Sequence, residues 1–367
     1  MSRSSKDLEF MEMAYSLAEQ ARGRTSPNPC VGAVLVKSGR IVGWGYHREA
    51  GQPHAEIIAL EKAGAQSRGA TLYLTLEPCV HWGRTPPCIN RLLASGVRRV
   101  VISSYDPNPL VFRKGAARLR EAGIQVEVGL LDHLNRKLNE FYFKYITCRI
   151  PFVTLKAALS LDGKIAASSG DSRWISSEES RFFGQNLRAE HDGILVGINT
   201  VLQDDPELSL RLPETAGKKW RRVVLDAFLR IPLEARLLKS RELGQVIIFT
   251  GPEIPEEKAR RLRELGAEII QVPTSDGHLE MKAILEELGR REISSILVEG
   301  GARVLTSFLE QRLADRIYLF IAPKLIGGEK SPTIFEGEGV ARINAALRLK
   351  THRHFSLGRD IIVEGYF

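Results

Sequence analysis

Leu8, Met11, Tyr15 and Ala18 recur at helical spacing, which predicts a first helix over residues 6–22, ended by Gly23. Two short β-rich runs follow, residues 31–37 and 41–46, joined at Ser38-Gly39 as a hairpin. The pattern then alternates: helix 54–63, strand 70–76, helix 86–95, strand 100–103, helix 114–122, strand 125–128 and helix 131–145. Short apolar strands alternating with amphipathic helices predict a sheet covered by helices, an α/β architecture.

Thr147-Cys148-Arg149-Ile150-Pro151 reads as a joint, which sets domains at residues 1–146 and 151–367. A strand restarts over 152–159, and Ser176 with Glu179 forms a capping box for a helix over 178–189. Strands over 194–197, 223–226, 246–249, 269–272 and 296–298 alternate with helices near 255–265 and 281–290, a second α/β domain. Residues 317–322 and 361–366 predict a closing antiparallel set.

A length of 367 residues agrees with two domains, each large enough for its own core. Hydrophobic residues at 43% and charged residues at 26% describe an ordinary soluble chain, and no apolar run approaches the roughly 20 residues that span a bilayer. Met1-Ser2-Arg3-Ser4-Ser5-Lys6 leads into an amphipathic pattern instead of a leader's apolar middle, so a cytoplasmic chain is expected. Four cysteines make no disulfide framework at this length, and Cys30 and Cys148 are expected to be plain packing residues. The net charge of +8 suits either nucleic acid or an anionic small substrate. Because no run of like charge reaches five residues, a phosphorylated small molecule is the expected partner, with no nucleic acid and no membrane.

The chemistry concentrates between Pro53 and Cys88. Pro53-His54-Ala55-Glu56 opens a helix, and Glu77-Pro78-Cys79 and Cys88 follow a strand. One imidazole and two thiolates are the three protein ligands of a catalytic zinc, which keeps its fourth position open. Glu56 lies two residues past the histidine, able to lean over that position without ligating. Zinc deaminases of nucleobases use such a set, with a non-ligand Glu moving protons. Their signature has two residues between the cysteines; here there are eight. The bland alternatives are two buried thiols or a structural zinc, which would close with a fourth Cys or His. In the second half no Walker A or G-x-G-x-x-G is present. A strand does run into Glu299-Gly300-Gly301-Ala302 and a helix, a turn that either cradles an anion on backbone N–H groups or is merely tight.

The string Pro78-Cys79-Val80-His81-Trp82-Gly83-Arg84-Thr85-Pro86-Pro87-Cys88 resembles the deaminase half of the bifunctional deaminase/reductase family of riboflavin biosynthesis. Pro27-Asn28-Pro29, Gly45-Tyr46-His47 and Asp106-Pro107-Asn108-Pro109 are similar to that family too. So are Lys156-Ala157-Ala158, Ser172-Arg173-Trp174, Asp204-Asp205-Pro206 and Val298-Glu299-Gly300-Gly301. The resemblance implies a cytidine-deaminase-like α/β/α zinc domain followed by a dihydrofolate-reductase-like α/β domain. It implies one zinc per chain on His54, Cys79 and Cys88, with Glu56 as acid–base. Asn28, His47, His81, Arg84, Asp106 and Asn108 would position the pyrimidine and its phosphate; His81 could instead ligate, though it would crowd the open position. In the second half the substrate would meet Lys156, Ser172, Arg188, Leu208, Arg211 and Glu299. NADPH would meet Ala158, Trp174, Thr200, Asp204, Gly300, Gly301, Ala302, Arg303 and Val304. Family members often carry Asp-Ser where this chain has Asp226-Ala227, which leaves that cofactor contact without a hydroxyl.

The implied reaction is hydrolytic deamination of a phosphoribosylated diaminopyrimidine, then NADPH-dependent reduction of the ribose to ribitol, by a chain expected to be a homo-oligomer. One rival is a tRNA base deaminase whose C-terminal domain binds RNA. The other is a structural zinc module that serves as an interaction protein.

Overall fold

The structure, a computed structural model, describes residues 5–215 and 217–367. Met1, Ser2, Arg3 and Ser4, on which the expectation of no leader partly rests, and Ala216 lie outside the described residues. Two compact units divide the chain, Met1–Arg149 and Ile150–Phe367.

In the first unit α1 (Ser5–Glu19) precedes β1 (Gly32–Lys37) and β2 (Arg40–Tyr46). Then come α2 (Ala55–Ala63), β3 (Thr71–Leu76), α3 (Cys88–Ala94), β4 (Arg99–Ser104), α4 (Lys114–Glu121), β5 (Gln125–Val128), α5 (Asp132–Leu138) and α6 (Glu140–Cys148). The sheet order is β2-β1-β3-β4-β5, antiparallel around β1 and parallel from β3 onward. Ser38 and Gly39 both take positive φ, 50° and 77°, the twist a two-residue hairpin turn needs. Alternation along β1 sorts the two faces. Ala33 and Leu35 join Ala59, Ile89, Leu92 and Ala116, whereas Val34 and Val36 meet Phe10, Met11 and Ala14 of α1. The expected α/β/α layering follows.

Two glycines set the height of α2 above the sheet. A Cβ at Gly43 would lie 2.1 Å from the Ala59 carbonyl oxygen, and one at Gly45 would lie 2.8 Å from that of Ala55. No larger residue fits, so the N-terminus of α2 is held down on β2. The helix expected over 131–145 is instead two, broken at Asn139. That buried side chain accepts from the Cys30 N–H at 2.7 Å and donates to the Cys30 carbonyl at 2.9 Å. Cys30 is buried as expected, but Cys148 is exposed at the end of α6 and is not a core packing residue.

The second unit runs β6 (Phe152–Ser160), α7 (Glu178–Glu190), β7 (Gly193–Gly197), α8 (Ile198–Asp204), β8 (Arg221–Leu225), α9 (Arg236–Lys239) and β9 (Gln245–Thr250). It continues with α10 (Glu256–Glu264), β10 (Glu268–Gln271), the small hairpin β11 (Thr274–Ser275) and β12 (His278–Leu279), and α11 (Met281–Arg290). β13 (Ser295–Val298), α12 (Ala302–Glu310), β14 (Arg316–Ala322), β15 (Thr351–Leu357) and β16 (Asp360–Tyr366) complete it. The nine-stranded order is β10-β9-β8-β7-β13-β6-β14-β16-β15. Only the last two pairings are antiparallel. Val153, Leu155 and Leu159 pack with Ile284, Leu288, Leu305 and Phe308 on one face. Leu187 of α7 packs with Tyr318 and Phe320 on the other.

The α7 cap is Ser177, not Ser176. Its N–H donates to the buried carboxylate of Asp360 at 2.7 Å, which holds it extended, and its hydroxyl accepts from the Ser180 N–H at 3.2 Å. Strand β15 carries no apolar signal in its first half, Thr351-His352-Arg353-His354, because that edge is exposed. Among the described residues no helix is long and apolar enough to cross a membrane.

Candidate active sites

His54 caps α2, Cys79 follows β3, and Cys88 opens α3, so three elements end at one point. Their ligand atoms all lie within 4.8 Å of one another. His54 Nδ1 is 3.1 Å from Cys88 Sγ and 3.7 Å from Cys79 Sγ. Ligands 2.0 and 2.3 Å from a tetrahedral zinc stand about 3.5 Å apart, so the donors fit that ion in kind and spacing. With Nδ1 facing the sulfurs the ring proton sits on Nε2, which donates to Thr85 Oγ1 at 3.2 Å. Thr85 is thus an orienting partner that its place in the sequence did not reveal. His81 stands outside the ligand group. Its Nδ1 is buried and has no partner among the described residues.

The two thiols are pushed in opposite directions. A hydrogen bond from Cys88 brings Cys79 down to about 4, with His54 helping, and the same bond plus burial pushes Cys88 up. Glu56 is buried in the first turn of α2, 3% exposed, and burial pushes its carboxyl up while His54 opposes.

His47 meets the His54 ring edge-on, centroids 5.1 Å apart. His47 Nδ1 donates to the Pro53 carbonyl at 3.2 Å, leaving Nε2 to accept from Asn28 Nδ2 at 3.1 Å. Burial pulls this imidazole down to about 4, so it is neutral at pH 7. Asn28 keeps its Oδ1 for another partner. Asp106 and Asn108 spend acceptors on their own loop and on α6: Asp106 Oδ1 takes the Asn108 N–H at 2.9 Å and the Tyr142 hydroxyl of α6 at 2.9 Å, and Asn108 Oδ1 takes the Leu110 N–H at 3.0 Å. Burial raises Asp106 to about 6. Glu77, for which the sequence suggested no role, accepts from the N–H groups of Asp106, Arg113 and Ala116 at 3.3, 2.9 and 2.9 Å. It ties this loop to the end of β3. Arg84 and Trp82 are exposed on the segment between the thiols.

In the second unit a cavity of about 680 Å³ opens at the carboxyl ends of β7, β8 and β13. Ser172, Thr200, Asp204, Glu299, Gly300, Gly301, Ala302, Arg303 and Val304 line it, as does Ala227. The wall is tight where strands meet: a Cβ at Gly197 would lie 2.8 Å from Val304 Cγ2, and one at Gly300 would lie 3.0 Å from Val304 Cβ. Gly301 starts α12 without a side-chain cap, which leaves backbone N–H groups for an anion. Arg188 grips Glu299 with both ends of its fork, at 2.8 and 3.0 Å, and Lys156 Nζ stands 3.8 Å away. Burial pushes Glu299 up, but the two cations outweigh it and hold the carboxyl at about 2.

Other expected residues lie elsewhere. Leu208 is buried in the core and its carbonyl accepts from the Trp220 indole at 2.8 Å. Arg211 is exposed, its N–H bonded to Gln185 Oε1 at 3.3 Å. Ala158 packs near Phe320. The Trp174 ring is exposed beneath the Arg181 guanidinium, 4.7 Å from its centroid.

A three-ligand cluster beside a buried glutamate on an α/β/α sheet, joined to a parallel α/β unit with a glycine-walled cavity, defines a zinc deaminase coupled to a nucleotide-dependent reductase. Residues 4–104 match the cytidine and deoxycytidylate deaminase zinc-binding region, and residues 151–363 match the RibD C-terminal domain. The riboflavin biosynthesis protein RibD of Aquifex aeolicus is 46% identical over 97% of each chain. A solved RibD of Acinetobacter baumannii superposes with TM-score 0.88 at 36% identity, covering 98% of both chains. The deaminase/5-amino-6-(5-phosphoribosylamino)uracil reductase of Thermotoga maritima does so with TM-score 0.85 at 37% identity, again covering 98% of both. The chain belongs to the RibD family, the bifunctional deaminase/reductases of riboflavin biosynthesis. It has a zinc-binding deaminase domain and an NADPH-dependent reductase domain, and it acts on small molecules. The tRNA-deaminase and structural-module alternatives are set aside.

Proposed function

We propose that His54, Cys79 and Cys88 hold one zinc and that Glu56 moves the protons of deamination, within a domain of residues 1–146. What carries this is the buried Glu56 carboxylate next to a ligand set of three, with no fourth protein ligand among the described residues. Zinc held there supplies the Lewis acidity that makes water a nucleophile near neutral pH. Glu56, its carboxyl raised by burial, is suited to carry one proton from the attacking water to the ring nitrogen and then a second, from the added hydroxyl, to the amine, which leaves as ammonia as the carbonyl forms. The substrate is the phosphoribosylated diaminopyrimidinone, since the Thermotoga relative's full name is diaminohydroxyphosphoribosylaminopyrimidine deaminase/5-amino-6-(5-phosphoribosylamino)uracil reductase. Asn28 Oδ1 accepts from its amine side, and Arg84, exposed on the loop between the thiols, binds its phosphate. His81 faces the ring, while Asp106 and Asn108 shape the loop beneath.

In residues 151–367, NADPH supplies the hydride that reduces the ribose carbon of the deaminated product. Lys156, Arg188 and Glu299 form the charged floor under that substrate, with Ser172 at its side. Leu208 and Arg211 would act through backbone and rim. The chain is proposed to work in the cytoplasm as a homo-oligomer, without nucleic acid.

Supplying the purified chain with the diaminopyrimidine phosphate, and following ammonia release and NADPH absorbance separately, tests the two roles. Lys156→Ala should spare ammonia release and slow only NADPH oxidation. An equal loss of both would refute the separate sites. Arg84→Ala should raise KM for deamination with zinc still at one per chain. Metal lost from that variant would make the loop a clamp and not a phosphate reader.

A further inference from the structure

The cavity of the second unit has two ends, and only one is accounted for. Glu299, following β13, is held at one end by Arg188 and Lys156. The opposite wall follows β8, two strands away in the order β8-β7-β13, roughly 10 Å across at about 4.8 Å per strand. Ala227, Phe228 and Arg230 line that wall.

Arg230 is the cation there. Its guanidinium is half-exposed and makes no hydrogen bond among the described residues; its ion partner is Asp226, Nε to Oδ1 at 3.7 Å. Asp226 cannot itself reach a ligand. It is fully buried, Oδ2 accepts from the Ile231 N–H at 2.8 Å, and Oδ1 has no hydrogen bond. The carboxylate therefore anchors Arg230 from behind, and the N–H fork stays available to the cavity. Ala227 offers the same wall no donor, and exposed Phe228 offers an apolar ring surface.

We propose that Arg230 binds the 2′-phosphate of NADPH and sets the preference for NADPH over NADH. The proposal rests on the NADPH-dependent role of the second unit, and it places the adenosine half of the dinucleotide against Phe228 with its phosphate on the Arg230 fork. A planar fork takes two phosphate oxygens at once, which a serine hydroxyl at position 227 would not match in strength.

Calorimetric titration of the full chain with adenosine 2′,5′-bisphosphate and with 5′-AMP reads this contact without turnover. The unaltered chain should bind the bisphosphate more tightly than 5′-AMP. Arg230→Ala should cut that ratio by roughly 10- to 100-fold, the range for hydrogen bonds to a charged group, while 5′-AMP affinity holds. Arg230→Lys, which keeps the charge and the solvent-facing stem, should recover part of the ratio. An undiminished ratio in Arg230→Ala would overturn the assignment and leave the NADPH role standing. No preference for the bisphosphate in the unaltered chain would overturn both.

Discussion

Glu56→Gln should keep one zinc per chain and the full fold, yet lose deamination by roughly 100- to 10,000-fold, the range for removing a general acid–base. That corresponds to about 3 to 5 kcal/mol of barrier. Gln fills the same buried space in the first turn of α2, so the packing of Ala55 and Ala59 on Gly45 and Gly43 is undisturbed. What disappears is the carboxyl that can be protonated and deprotonated within one turnover. NADPH oxidation on the already deaminated substrate should continue, because Lys156, Arg188 and Glu299 belong to the second unit. Loss of both activities on their separate substrates, with zinc and fold intact, would require one composite site.

Cys88→Ser should drop zinc well below one per chain and take deamination with it, and Cys79→Ser should do the same. A serine hydroxyl is a far poorer zinc ligand than a thiolate, and the proposed set has only three protein ligands among the described residues to share the loss. The Cys88 N–H already donates to Cys79 Sγ at 3.2 Å, and His54 Nδ1 lies within reach of both sulfurs, so either substitution also disturbs the contacts that hold the three side chains together. Elemental analysis is decisive here. Stoichiometric zinc in both variants would remove these residues from the ligand set.

Much of this was readable along the chain. The alternation of short apolar strands with amphipathic helices marked two α/β units, because burial on a sheet leaves period-two and helical patterns in the residues themselves. H-x-E at a helix start and Pro-Cys after a strand marked the residues that the fold gathers into one cluster, since cap and strand-end positions are local properties.

The failures share another cause. Residues 131–145 have a continuous helical pattern, and only the amide of Asn139 reaching Cys30, 109 residues away, breaks it. Ser177 outcompetes Ser176 as a cap because of Asp360, 183 residues on. Strand β15 is polar at its exposed edge, and pairing with β16 alone makes it a strand.

The sequence by itself determined the chemical inventory: which side chains could bind zinc, carry a proton or hold a phosphate, and on which kind of element each sits. Only the tertiary structure decided which of them meet. It brought Thr85 to His54, locked Asn28 on His47, paired Arg188 with Glu299, sank Leu208 in the core and left Arg230 facing the cavity. Spacing along a chain sets what a residue can do locally. Contacts between residues tens of positions apart depend on how strands are ordered and how closely helices lie on them, and here glycines such as Gly43, Gly45 and Gly197 set that closeness.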